Sequence, residues 1–567
     1  MDLSQVIADL TKHTAHSVWM FQPEIWLCAT IVAVLLVRLF GLHGWISPFA
    51  TCVIGVLGAN VAQASMIRQF SEGLAAAPYF GRIEFFDGLL VYDNVTVFFR
   101  LFLLAFALLL LVLMRITGVP DRDASSDVFP LILGATLGMC LMASANHLLI
   151  VFLGVEMASV PSYALAGMLK GRRRGSEAAL KYAVFGAGAA GVMLYGISLV
   201  AGVLGTVHLP TMAQRLAEMP WTAGGGEVMA LALGGLMVMV GLAFKLSAVP
   251  FHFWCPDVFE GATAEINAFL SVASKAAALA LLVRVAVGVT HLPEAEAMPM
   301  QPAATSTAAL SVTEASVTLA AEKATPEATM SVAADNLSPV RSFVSQLIAL
   351  VAIITCTFGN LAAYAQTNIK RMFAYSTIAH AGYMMMPVAA AVALLGDAGQ
   401  HATAVEAIGS LLVYAVMYLF MNLGAFAIVA FLRNKLLSEE IADYSGLIRS
   451  CPTMVVCFVI ILLSLVGLPP LAGFAGKFVV FVSLAKSQAW LLLVVAGLNT
   501  GLSLFYYLRV VKVMCIDAEP ESRSPVSFSV LSPAMWYALA VTTPVVLLGV
   551  LFSYVIDVAE SAVRQLL

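Results

Sequence analysis

Apolar runs of about twenty residues recur along the chain, separated by short polar stretches. A helix needs about that length to cross a hydrocarbon core of ~30 Å. The pattern predicts about fourteen spans, at residues 25–43, 46–66, 89–114, 128–145, 147–169, 180–205, 228–254, 266–290, 344–363, 372–395, 406–432, 453–485, 488–512 and 533–556. Only very short turns divide 128–145 from 147–169 and 453–485 from 488–512. The runs do not alternate apolar with polar residues, as the strands of a membrane β-barrel would.

The placement of Lys and Arg sets an orientation. KGRRRG (Lys170 to Gly175), NIKR (Asn368 to Arg371), RNK (Arg433 to Lys435) and the Arg509/Lys512 flank all fall on one side if the spans alternate as counted. That side is expected to be the cytoplasm, with both termini of the multi-pass chain outside. Losing one span would split the basic loops between the two sides, so their agreement supports an even count. One segment differs: residues 292–340, rich in Ala, Thr, Ser, Pro and Glu, are expected to form a flexible external loop.

Composition strengthens this picture. The 567 residues are 61% hydrophobic and 11% charged, with a mean hydropathy of +0.95, whereas a soluble chain carries roughly 25% charged residues. The net charge of −4 names no partner, and nothing resembles a nucleic-acid-binding surface. The start, MDLSQVIADLTK, lacks the basic flank of a cleavable signal peptide. Eight cysteines are scattered, mostly inside spans, with no CxxC, so metal or iron–sulfur ligation is not expected. No GxGxxG follows a predicted strand and no HExxH occurs, so no redox centre is expected in this chain itself.

Most charges lie in loops, and the exceptions carry the chemistry. Glu156 sits in HLLIVFLGVEMASVPSYALAG, Lys245 in GLAFKLSAVPFHFW, Lys275 in AFLSVASKAAALALLV and Lys477 in LPPLAGFAGKFVVFVSLA. A charge at the centre of a spanning helix costs about 2.5–3.5 kcal/mol on an insertion scale, so four unpaired ones would cost roughly 10 kcal/mol. Any single one is compatible with a structural ion pair or a side chain that snorkels to the interface. Arg100 and Arg284, toward span ends, fit that description. Three lysines and a glutamate at depth are hard to explain as packing.

Pro250 follows Lys245, and Pro469-Pro470 precede Lys477. Proline removes a helix hydrogen bond, and at membrane depth broken backbone survives only where protein or water satisfies the freed carbonyls. Each of these two lysines is therefore expected beside a local polar cavity, where a carboxylate such as Glu156 would tune its proton affinity. A line of such lysines with water between them is a proton relay. Ser247, His252, Tyr375, Ser376 and His380 are hydroxyl and imidazole candidates to join it, although His252 is also readable as an interfacial histidine packed on Trp254.

The two broken spans are the seventh and the twelfth, each followed by one more span. Matching breaks are a mark of inverted repeats. Spans four to eight and nine to thirteen then form two five-helix units, echoed by Tyr182-Ala183-Val184 and Tyr414-Ala415-Val416. The expected plan is helices one to three over 1–127, a first repeat over 128–291, the external loop 292–340, a second repeat over 341–515, and a C-terminal loop and helix over 516–567.

Four stretches together, KLSAVPFHFWCPDVFEGA, FLSVASKAA, NIKRMFAYSTIAHAGYMMM and GLPPLAGFAGKF, closely resemble the antiporter-like proton-translocating subunits of bacterial respiratory complex I, the proton-pumping NADH:quinone oxidoreductase. The resemblance runs from about Asp93 to Lys512. HFWCPDVFEGA and STIAHAGY favour the N-type subunit over its L and M paralogues. The resemblance implies an all-α membrane fold of 14 helices with two inverted five-helix repeats, a half-channel in each, and a central polar axis. It matches Glu156 to the family's helix-five glutamate, and Lys181, Lys245, Lys275 and Lys477 to its lysines on helices six, seven, eight and twelve. It implies that the chain acts as a translocase subunit of an enzyme complex and holds no cofactor, with NADH, FMN, iron–sulfur clusters and quinone in other subunits. Expected partners are the antiporter-like subunit M, the small subunit K and the lipid bilayer. Two alternatives stand beside it: a subunit of a multi-subunit Na⁺/H⁺ antiporter or membrane-bound hydrogenase of the same fold, or a non-conducting membrane scaffold. The chain departs from the family in reading EGATAEINAF for EGAPTPVTAF, which loses two prolines and adds Glu265, and in the insertion at 292–340.

Overall fold

The computed structural model describes residues 3–73, 82–120, 125–169, 173–221, 225–292, 336–521, 523 and 526–567. The expected external loop at 292–340 and the KGRRRG stretch fall largely on residues 293–335 and 170–172, which lie outside the described residues. Helix α1 (Leu3–Met20) comes first. Spans one to six are α2 (Gln22–Leu39), α3 (Pro48–Gly73), α4 (Asn94–Thr117), α5 (Ser125–Ser144), α6 (Leu148–Ala166) and α7 (Arg173–Leu204). After the short α8 (Leu209–Ala217), span seven is made of α9 (Gly226–Leu246) and α10 (Trp254–Gly261), and span eight of α11 (Ala264–Ser271) and α12 (Ala273–Thr290). Spans nine to eleven are α13 (Ser338–Ala363), α14 (Ile369–Leu394) and α15 (His401–Leu436). Span twelve joins α16 (Pro452–Val466) to α17 (Ala472–Lys486), and α18 (Trp490–Cys515), α19 (Pro533–Val550) and α20 (Phe552–Val563) complete the chain.

Among the described residues, 13 helices are long and apolar enough to cross a membrane. The halves of span twelve, too short singly, supply the fourteenth. The protein is thus an all-α polytopic membrane protein of about fourteen spans, some of them interrupted.

The expected boundaries need three corrections. Span three does not begin at 89. β1 (Ile83–Phe85) pairs antiparallel with β2 (Leu90–Tyr92), and Phe86, Asp87 and Gly88 turn the chain at positive φ. Helix α4 starts only after Asp93, which caps it by accepting the Thr96 N–H at 2.8 Å. The last span ends at Val550 rather than 556, and α20 then packs against α15. Span eight is interrupted at Val272, where no proline warns of it.

Burial is uneven, and this decides where a polar pathway can run. In α11–α12 83% of the spanning positions are buried, and in α14 and α15 89%, against 28% in α13. Spans eight, ten and eleven form the protein interior. The basic residues collect at one end of the bundle. Arg371 bonds Asp257 and Glu260, Arg174 reaches Glu260, Lys181 reaches Asp257, and Lys370 and Arg433 share Glu439. Arg509 donates to the Tyr364 and Gln366 carbonyls near them. That gathering requires an even number of crossings between these loops.

Candidate functional site

The break in span seven is a problem of orphan carbonyls. Helix α9 ends at Leu246, and its C-cap Ser247 is left-handed (φ 57°). The Ser247 N–H returns to the Phe244 carbonyl at 3.0 Å, and the Ala248 N–H to that of Ala243 at 2.8 Å. Two side chains from beyond the helix complete the set. The Lys275 ammonium donates to the Leu246 carbonyl and to Ser247 Oγ, both at 2.8 Å. The Trp254 indole donates to the Phe244 carbonyl at 3.0 Å. On the span-nine side, the Val249 N–H is taken by Thr355 Oγ1 at 3.0 Å. Lys245, one residue before the helix end, turns the other way and donates to Ser159 Oγ on α6 at 3.0 Å. Lys245 and Lys275 are each only 1% exposed.

The break in span twelve is solved in the same manner. Gly467 takes φ 95°, and its N–H returns to the Ser464 and Leu463 carbonyls. The Pro469-Pro470 turn leaves the last carbonyls of α16 unmet. The Lys477 ammonium takes two of them, Val466 at 2.9 Å and Leu465 at 3.1 Å, and lies 4.9 Å from the Tyr383 ring centroid. The Gly473 N–H bonds Ser464 Oγ at 2.9 Å. A side chain at 473 would collide with the Ser464 carbonyl, so only glycine permits this approach.

Between the two breaks lies a string of hydroxyls and one imidazole. His380 is 2% exposed, and its Nδ1 meets Tyr414 Oη at 2.7 Å while Nε2 meets Tyr507 Oη at 3.3 Å. A hydroxyl can donate or accept at either nitrogen, so either neutral tautomer is supported. Tyr507 continues to Ser376. The Tyr418 ring lies 5.1 Å from that of His380 and its hydroxyl meets Asn422, which also reaches Thr377 at 3.5 Å. Lys477 is within electrostatic reach of His380, as Lys245 is of Lys275 and Glu156.

The remaining expected residues sit differently. Glu156 is half-buried, on a face of α6 that exposes Leu149, Leu153, Met157 and Val160. Among the described residues it forms no ion pair, and the Lys245 ammonium bonds Ser159, three residues along the same helix, instead. Lys181 lies at the basic end, paired with Asp257 at 2.7 Å and Glu177 at 2.9 Å. It lines a cleft of about 230 Å³ with Arg174, Asp257, Glu260 and Arg371, apart from the buried lysines. His252 packs between Phe253 and Phe358, with ring centroids 4.6 Å away in each case, and bonds none of the lysines. Pro250 falls inside the seventh-span break.

Sequence reading missed several buried groups. Arg100 and Arg284 do not snorkel. Arg100 is fully buried with its Nε 2.7 Å from Glu24 Oε1, at ion-pair distance without hydrogen-bond alignment. Arg284 makes a bidentate pair with Asp93 and a further bond to Thr96 at 2.8 Å. The signal was present in Glu24 and Asp93, acids just inside or just before a span, but their partners are 76 and 191 residues away. Tyr414 and Tyr507 were missed because a tyrosine in an apolar run reads as packing. Among the described residues no group of His, Cys, Asp and Glu could hold a metal ion.

A family described as NADH:quinone oxidoreductase/Mrp antiporter, transmembrane, matches residues 145–311 and 303–503. "NADH-quinone oxidoreductase subunit N" of Rhodospirillum rubrum is 33% identical over 548 residues, 96% of each chain. The subunit N of an Anaeromyxobacter species is 36% identical over 463 residues, 78% of each. A chain of respiratory complex I from Thermus thermophilus with bound aureothin is 29% identical, covering 94% of this chain and 98% of its own, with a TM-score of 0.66. A chain of the Mrp complex of a Dietzia species has a TM-score of 0.72 at 16% identity, covering 96% of this chain and 97% of its own, a likeness of fold alone. Match and relatives agree with the motifs around the two breaks: the chain belongs to the NADH:quinone oxidoreductase/Mrp antiporter transmembrane family, in the group called NADH-quinone oxidoreductase subunit N.

Proposed function

We propose that this chain is a membrane-arm subunit of a proton-pumping NADH:quinone oxidoreductase and moves protons along Lys245, Lys275, His380 and Lys477. NADH, FMN, iron–sulfur clusters and quinone belong to other subunits, so the redox chemistry happens elsewhere and reaches this chain as a shift of its polar axis. The basic end faces the cytoplasm, Lys181 stands at the mouth there, and both termini lie on the far side. Subunits M and K are the neighbours. Residues 128–291 and 341–515 act as two inverted repeats, each contributing a half-channel.

The observation that carries this reading is the same at both breaks: carbonyls freed by the interruption are held by the ammonium group of a buried lysine. A lysine in such a place is a group that can both hold and yield a proton. Glu156, within electrostatic reach of Lys245 and open on one side, biases that lysine from the edge of the chain. Lys245 passes its proton toward Lys275 and on, by way of the His380 and tyrosine hydroxyls, to Lys477, which releases it outside. A scaffold with no transport role is separated from this reading by Lys477→Ala. Protons moved per NADH should fall while the complex still assembles, and an assembled variant that pumps normally rejects the relay.

A further inference from the structure

We propose that Trp254 is a positioning residue of this relay, and that the Asp257–Arg371 ion pair across the two repeats keeps it in place. The proposal rests on the relay reading above. Trp254 is 2% exposed, and a buried indole N–H needs an acceptor. It finds the Phe244 carbonyl, in the last turn of α9 and beside Lys245. Its ring stacks on Tyr182 with centroids 4.2 Å apart and planes 6° from parallel. The Lys275 ammonium stands 6.0 Å from its centroid, at the limit for a cation–π attraction. One side chain thus bonds the helix end that carries Lys245, at the break, and presents its ring toward Lys275.

Helix α10 is only eight residues long and is held at both ends. Trp254 and Asp257 are three residues apart, hence on one side of the helix. At the midplane end Trp254 is fixed as described. At the basic end Asp257 is clamped by Lys181 of the first repeat and Arg371 of the second, both at 2.7 Å, and Glu260 adds a bond to Arg371 at 2.9 Å. Arg371 stands in the first turn of α14, the span that carries His380. A shift of α14 therefore pulls on α10 and, through Trp254, on the Phe244 carbonyl in the same last turn of α9 whose Leu246 carbonyl Lys275 holds.

The test uses membranes holding the assembled complex and measures protons moved per NADH oxidised, per assembled complex. Trp254→Phe keeps a ring on Tyr182 but has no N–H, Trp254→Leu also loses the π face, and Asp257→Asn frees α10 from its clamp. The ratio should fall in Trp254→Phe by an amount comparable to Lys275→Ala. Adding Asp257→Asn to Trp254→Phe should lower it no further, because both act on one element. A purely structural tryptophan would lower the amount of complex and leave the ratio untouched, and that result overturns the proposal. So does a parental ratio in Trp254→Phe while Lys275→Ala pumps poorly. A parental ratio in Lys275→Ala instead brings down the relay reading itself, and this proposal with it. If Trp254→Leu fails to assemble, Trp254→Phe and Asp257→Asn carry the test.

Discussion

Lys477→Arg separates the observed role of Lys477 as a cap from its proposed role as a proton carrier. As a cap, the ammonium satisfies the Leu465 and Val466 carbonyls at 3.1 and 2.9 Å. A hydrogen bond from a charged donor contributes about 1.5–3 kcal/mol, so truncation to alanine forfeits roughly 3–6 kcal/mol at this break, before any cavity is counted. Lys477→Ala therefore confounds a lost carrier with a weakened helix joint. Arginine keeps the positive charge and several donors, and its planar group also suits the face of Tyr383, but it does not deprotonate in proteins. The Arg variant should keep most of the capping energy and give a solubilised complex whose thermal midpoint lies near the parent's and well above that of Lys477→Ala. Both variants should move fewer protons per NADH in reconstituted vesicles. If Lys477→Arg pumps at the parental ratio, Lys477 is a cap and not a carrier, and the reasoning fails at its centre.

Two further outcomes concern the rest of the molecule. Asp93→Asn strips the carboxylate from Arg284 and leaves a buried guanidinium uncompensated, at a cost of about 3–5 kcal/mol, visible as a fall in the thermal midpoint; Asp93→Leu with Arg284→Met should recover most of it. At the hairpin, burial pushes the Glu84 carboxyl up, but the hydrogen bond and charge of His208, with Asn146 and Arg82, outweigh it and hold the group below its ordinary value. Such a group stabilises the fold above its unfolded value and loses that contribution as pH falls through the folded one. Hydrogen-exchange protection at residues 83–92, corrected for the intrinsic pH dependence of exchange, should therefore fall on acidification, and Glu84→Gln should flatten the response; an unchanged slope refutes the assignment.

What the sequence disclosed was whatever depends on neighbours along the chain. Spans follow from runs of apolar residues, and the breaks of spans seven and twelve from Pro250 and Pro469-Pro470. The anomalous lysines follow from being charged inside those runs. What it concealed was whatever depends on neighbours in space. Ser159 as the partner of Lys245, Glu24 for Arg100 and Asp93 for Arg284 are tertiary pairings, and no local pattern announces them. The interruption at Val272 has no proline or glycine to mark it. Which side of α6 carries Glu156 was not legible, because an apolar helix with no polar face gives no hint of which side meets the interior.

If the proposed relay holds, the lysine caps make spans seven and twelve joints whose stiffness depends on a proton. A charged ammonium grips two oxygens firmly, whereas a neutral amine is a poorer donor and loosens its hold. Each departure of a proton from Lys477 would then slacken the hinge between Val466 and Ala472, and each arrival would tighten it again. Chemistry and motion at that elbow would then be one event, and a push from elsewhere would act on a bond already half released.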